Sequence, residues 1–179
     1  MRPEVISLRK NVHDFILDTI FQSNPTPPVL EIGPMQLLWT PVKEYFVDTR
    51  AFFKGKGVGY SSCDTDPKSG ADIISDVLSL SQHIEDNSVG AIIALEVLEH
   101  VSEIWKVPDI FHKILKPGGK VFVSVPYYFY RHAPFPDYWR ISEDGLTLLF
   151  KEKFDISITP LVLDDERKPL QYTLVGIKK

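Results

Sequence analysis

The chain has 179 residues, 44% of them hydrophobic and 25% charged, with a net charge of −4. That balance describes one soluble globular domain with a sizeable core, and an aromatic content of 12% excludes a disordered chain. A net-negative chain without clustered Lys and Arg lacks the electrostatic footprint of a nucleic-acid binder. The one cysteine, Cys63, excludes an internal disulfide and a cysteine zinc cluster, and it reads as a small buried hydrophobe rather than a nucleophile. No apolar run reaches the length of a membrane span, and the N-terminus carries no signal-peptide pattern. The expected setting is therefore the cytoplasm, with no membrane partner.

In chain order, Val5, Leu8, Val12, Phe15, Ile16 and Ile20 recur at helical spacing and predict an amphipathic helix over 5–21, the core of an N-terminal segment (1–24) that packs on the rest. Val29 to Gly33 reads as a buried strand meeting a turn. The stretch from Met35 to Lys56 fits either a short helix or an irregular segment. Gly57 to Cys63 is a second strand, ending on Asp64-Thr65-Asp66-Pro67, and Ala71 to Ser75 a short third. Val89 to Leu95 is a continuous apolar run, as expected for a strand covered on both faces. The following helix is expected to be divided by Pro108, with Asp109 to Leu115 its clearer half. Lys116-Pro117-Gly118-Gly119 then reads as a helix stop and turn before a buried strand, Lys120 to Val125. Ser142 caps a helix running to about Glu152, with Glu143 and Asp144 at its positive end. Two closing strands, Phe154 to Leu163 and Gln171 to Ile177, are joined by a charged loop. This alternation predicts a mostly parallel α/β sheet ending in an antiparallel hairpin, as one domain over 1–179.

In such a sheet, ligands bind beyond the carboxyl ends of the strands, where the strand order reverses. Four segments there carry carboxylates or glycine turns: Glu31-Ile32-Gly33, Asp64-Thr65-Asp66, Asp76-Val77 and Glu96-Val97-Leu98-Glu99-His100. An acid ending the second strand suits a ribose, because one carboxylate accepts from both vicinal hydroxyls. Any one of these acids alone is better read as solvent-facing. Four on successive strands shift the balance toward a site.

The segments "VLEIGP", "DTDP", "SDVLSL", "ALEVLEHV" and "ILKPGGKVFVSVP", in this order and spacing, resemble the class I S-adenosylmethionine-dependent methyltransferases, most closely the type 11 group. The later "PYYFYRHAPFPDYWRISEDGLTLLF" is similar to a subgroup with a His…Pro-Asp-Tyr-Trp-Arg loop. The resemblance runs from about Val29 to Phe154. It implies a Rossmann-like, seven-stranded sheet with helices on both faces, S-adenosylmethionine as cofactor, and roles for individual residues. Glu31 and Gly33 would lie beside the methionine moiety, Asp64 would hold the ribose, Asp76 and Val77 would edge the adenine, and Leu95 and Glu96 would floor the sulfonium. The chain departs from the pattern at Met35 and Leu37, which stand where the family has its second and third glycines, and at Gly90, where an acid usually precedes the fourth strand.

Methyl transfer is an in-line displacement, so the protein aligns the acceptor and removes its proton. His132 and His100 are the candidate bases, with Asp137 orienting one of them and Arg140 pairing with an anionic group of the acceptor. Tyr127, Tyr128, Tyr130 and Tyr138 would supply walls for a sugar or planar ring, whereas Trp139 is expected in the core. No His, Asp and Glu set shows convincing ligand spacing, so no metal is expected. The functional expectation is a methyltransferase acting on a small molecule or a sugar or glycan precursor. The departures at Met35, Leu37 and Gly90 support the alternative, a non-catalytic scaffold on the same fold.

Overall fold

A computed structural model describes residues 3–34, 42–162 and 168–179. The expectations placed on Met35 and Leu37 lie outside the described residues. Seven strands form one sheet in the order β3-β2-β1-β4-β5-β7-β6. They are β1 (Val29–Ile32), β2 (Tyr60–Asp64), β3 (Ile73–Ile74), β4 (Val89–Leu95), β5 (Leu115–Pro126), β6 (Phe154–Val162) and β7 (Pro169–Lys178). The first five run parallel, while β7 inserts antiparallel between β5 and β6. The order reverses between β1 and β4, which defines the switch point.

Side-chain alternation on the central strands builds two cores. Leu30, Ile32, Ile92, Ala94, Val121 and Val123 face one side, where Phe111 of α3 (Val107–Ile114) and Leu146 and Phe150 of α4 (Glu143–Phe150) cover them. Val29, Ala91, Ile93 and Phe122 face the other, beneath Leu8, Val12 and Phe15 of α1 (Pro3–Phe15) and Phe53 of α2 (Thr49–Gly55). Burying each of these large side chains contributes roughly 1.5–3 kcal/mol, which is why β4 reads as one unbroken apolar run.

Three elements differ from expectation. The helix predicted over 5–21 changes to a π-helical stretch at Ile16–Phe21, with Ile16 and Ile20 still buried. Pro108 opens α3 rather than dividing it, since a first-turn residue needs no N–H partner; the preceding segment forms short 3-10 turns at Leu98–His100 and Ile104–Lys106. Lys116 to Gly119 is a bulge inside β5, not a turn before it: Val89 pairs with Leu115, and the register resumes at Ala91 and Lys120. Gly118 takes φ +72 there.

Gly90 also finds its reason in the fold. Its N–H donates to the Pro28 carbonyl at 2.8 Å, and a Cβ on Gly90 would stand 2.1 Å from the Thr26 carbonyl oxygen. The chain entering β1 crosses directly over this position, so no acidic side chain can occupy it.

Candidate active site

The carboxyl ends of β1, β2, β3 and β4 open on a cleft of about 510 Å³, within the roughly 300–1,000 Å³ usual for small-molecule sites. Eight of the residues singled out from sequence line it: Gly33, Asp64, Asp76, Val77, Leu95, Glu96, His100 and His132. Ile32, Val97 and Val101 complete an apolar wall.

Gly33 ends β1 with φ +62, and a Cβ there would stand 2.8 Å from Val97 Cγ2. Both the left-handed backbone and the close approach require glycine. Its N–H donates to the Cys63 carbonyl at 2.9 Å, tying the turn after β1 to β2. Asp64, the last residue of β2, accepts the Asp66 N–H on Oδ1 at 2.8 Å; its other oxygen has no partner among the described residues. Asp76 caps the 3-10 turn Val77–Gln82 through the Leu78 N–H at 2.8 Å. Glu31 does not line the cleft. Its buried carboxylate accepts from the Thr49 and Tyr60 hydroxyls, so it braces β1 against α2 and β2. Burial pushes the Glu31 carboxyl up, against those two hydrogen bonds, and pushes the Tyr60 phenol up as well.

Past β4 the backbone turns sharply, with Glu96 at φ +56. Its Oε1 accepts from Ser124 Oγ at 2.8 Å and Gln171 Nε2 at 2.6 Å, while Oε2 is buried without a partner. Three residues on, Glu99 is completely buried, and neither of its carboxylate oxygens accepts a hydrogen bond. Burial first, and then the neighbouring Glu96, push its carboxyl well above the ordinary range. Two imidazoles face it: His100 Nε2 lies 3.6 Å and His132 Nε2 4.0 Å from Glu99 Oε1. The Nδ1 atoms of these rings lie 2.9 Å from the Pro136 carbonyl and 3.0 Å from the Ala133 carbonyl. A carbonyl only accepts, so each Nδ1 carries a proton, and in a neutral ring Nε2 then keeps its lone pair toward Glu99. Burial lowers the His100 pKa, favouring this neutral form.

Asp137 and Arg140 stand behind His132. Asp137 Oδ2 accepts the His132 N–H at 2.8 Å. Arg140 grips both Asp137 oxygens at 2.6 and 2.8 Å, and donates to the carbonyls of Phe129, Tyr130 and Trp139 at 2.9, 2.6 and 2.7 Å. All five guanidinium N–H groups are thereby engaged within the loop, which leaves no donor for an anionic acceptor. Trp139 Nε1 donates to the Val101 carbonyl at 2.7 Å, the structural place expected for it. The same loop leaves Tyr128, Tyr130, Phe135 and Tyr138 exposed.

The sequence reading assigned Glu99 no role. The only signal for it was a glutamate three residues after Glu96 and adjacent to His100, directly after a fully buried strand.

This strand order, with its C-terminal hairpin and helices on both faces, is the Rossmann-like fold of the class I methyltransferases. The family model described as a methyltransferase domain, type 11, matches residues 63–123. A search of curated protein sequences finds no match. Among solved structures, a SAM-dependent methyltransferase from Archaeoglobus fulgidus superposes with a TM-score of 0.71 at 12% identity, covering 95% of this chain and 94% of its own. A putative methyltransferase in complex with the Haloferax volcanii Trm112 activator gives 0.65 at 16% identity, covering 98% and 93%. The N-methyltransferase NodS from Bradyrhizobium japonicum, in complex with S-adenosyl-L-homocysteine, gives 0.62 at 15% identity, covering 96% and 87%.

Proposed function

We propose that the chain is a single-domain methyltransferase that binds S-adenosylmethionine in the switch-point cleft and methylates a small molecule or a sugar or glycan precursor. The observation that supports this most directly is the convergence of Gly33, Asp64 and Asp76 on one cleft from three successive strand ends. The lining suits the cofactor. Gly33 lets the backbone approach its amino-acid end, the open Asp64 oxygen faces the place of the ribose hydroxyls, and Asp76 with Val77 edges the adenine. Leu95 and Val97 supply apolar walls. Bound there, the cofactor supplies a methyl group already activated on a sulfonium.

The chain's own residues then manage the acceptor. His100 and His132 present Nε2 lone pairs in the cleft, which in the metal-free protein take a proton from an acceptor hydroxyl or amine. Asp137 and Arg140 hold the loop that carries His132 and act through it as positioning residues. The exposed tyrosines of that loop offer faces for a ring to stack on. Among the described residues no helix is long and apolar enough to cross a membrane, and we place the reaction in the cytoplasm.

Calorimetric titration with S-adenosylmethionine and S-adenosylhomocysteine tests the reading. Micromolar binding, on the order of −8 kcal/mol, is expected for the wild type and at least tenfold weaker binding for Asp64→Asn. Binding of neither ligand overturns the enzyme reading and leaves the non-catalytic scaffold that Met35 and Leu37 support.

A further inference from the structure

We propose that Glu99, His100 and His132 form a binding site for a divalent transition-metal ion in the wall of the cleft. Three observations on separate segments converge on it. The Glu99 carboxylate is completely buried with both oxygens unpartnered, a state that native interiors rarely leave without an ion or water. Both imidazoles donate Nδ1–H to a backbone carbonyl, at 2.9 and 3.0 Å, the arrangement by which proteins fix a histidine for metal ligation through Nε2. The ligand atoms of the three side chains all lie within 4.8 Å of one another.

The two imidazole–carboxylate separations fit a shared ion. Ligand bonds of roughly 2.0–2.2 Å place two donors on one metal at most about 4.4 Å apart. The Nε2 atoms of His100 and His132 stand 3.6 and 4.0 Å from Glu99 Oε1, too long for a hydrogen bond and inside that limit. The neighbouring groups leave room for a cation too. Glu96 presents a second buried, unpartnered oxygen beside Glu99, and the nearby Arg140 is already matched to Asp137. Two imidazoles and a carboxylate suit manganese, iron(II), cobalt or zinc better than magnesium or calcium, which prefer all-oxygen shells.

Three protein ligands leave coordination positions open toward the cleft. A divalent ion there lowers the pKa of a hydroxyl it holds, which selects an oxygen acceptor, and most readily a vicinal diol that chelates. That acceptor class rests on the methyl-transfer reading above; ion binding itself does not.

The test strips the full chain with a chelator and titrates it with Co²⁺ and Mn²⁺, following the cobalt absorption spectrum and the melting temperature. The wild type is expected to bind, to melt higher with metal, and to show imidazole ligation. Glu99→Gln, which keeps the shape and removes the carboxylate donor, and His132→Ala should each weaken binding by more than about 100-fold, beyond the ~10–100-fold typical of a lost outer-shell partner. Asp64→Asn should keep full metal affinity while losing cofactor, so a failure of the methyl-transfer reading leaves this result standing. No binding at millimolar metal, or affinity unchanged in Glu99→Gln and His132→Ala, overturns the proposal.

Discussion

Asp137→Asn isolates what the loop ion pair contributes. Against burial, which raises it, Arg140 and the His132 N–H hold the Asp137 carboxyl down at about 2, compared with 3.8 for an ordinary aspartate. At about 1.4 kcal/mol per pK unit this gap is worth up to about 2.5 kcal/mol of folding stability. The Asp137 side chain is fully covered, but Arg140 remains 24% exposed; solvent screening reduces the expected figure to about 1–1.5 kcal/mol. Because the folded pKa is depressed, this stability is fully present above pH 3.8 and is lost as pH falls through 2. Urea unfolding of both proteins at pH 7, 5 and 3 should therefore show a difference of about 1–1.5 kcal/mol at the upper two values that narrows at the lowest. A difference that stays constant with pH, or falls below about 0.5 kcal/mol at pH 7, would refute the assignment of the pair as a stabilising clamp.

Two further substitutions probe the frame around the cleft. Gly90→Ala drives a Cβ to 2.1 Å from the Thr26 carbonyl oxygen, a backbone atom with little freedom to move; a loss of about 3 kcal/mol, or on the order of 10 °C in melting temperature, is expected. A variant melting with the wild type would show that the crossing strand is not fixed there. Trp139→Phe keeps the ring bulk but removes the 2.7 Å bond to the Val101 carbonyl, costing about 1–2 kcal/mol. Near-field ultraviolet circular dichroism should show the rest of the core unchanged, and a neutral effect on stability would mean that water replaces the indole as donor.

How far the sequence could be read depended on whether a feature was local. β4 was legible to the residue because both of its faces are covered and no polar position interrupts Val89 to Leu95. The cap of α4 was legible because Ser142 accepts the Gly145 N–H within its own turn. Apolar spacing could not distinguish an α-helix from the π-helical stretch at Ile16–Phe21, since both bury Ile16 and Ile20. At Arg140 the sequence supplied the charge but not its partners. Its carbonyl acceptors at Phe129 and Tyr130 lie eleven and ten residues upstream, and only the folded loop shows that no donor remains. The meeting of Glu99, His100 and His132 was hidden for the same reason. Two of these are adjacent in sequence, while the third arrives from a loop whose path follows no regular periodicity.

The hidden part of the site centres on the few residues past β4 at the switch point. There Glu96 holds a left-handed backbone that costs on the order of 1–3 kcal/mol, and Glu99 buries a carboxylate without a partner. Leu98 and Val101 of that turn pack into the first core, with Val97 against it, but the two acids add no apolar contact there. Folding alone would favour a glycine at 96 and an apolar residue at 99. The loop from Phe129 to Arg140 returns to this turn and fastens to it through the Glu99 carbonyl, which accepts the Tyr138 N–H at 2.7 Å. The arginine clamp then keeps His132 facing the buried acid. A strained backbone and a buried acid without a hydrogen bond oppose stability at this strand end, while the clamped loop spends its own stability on holding His132 beside them; together they make physical sense as a site held ready for a cationic ligand.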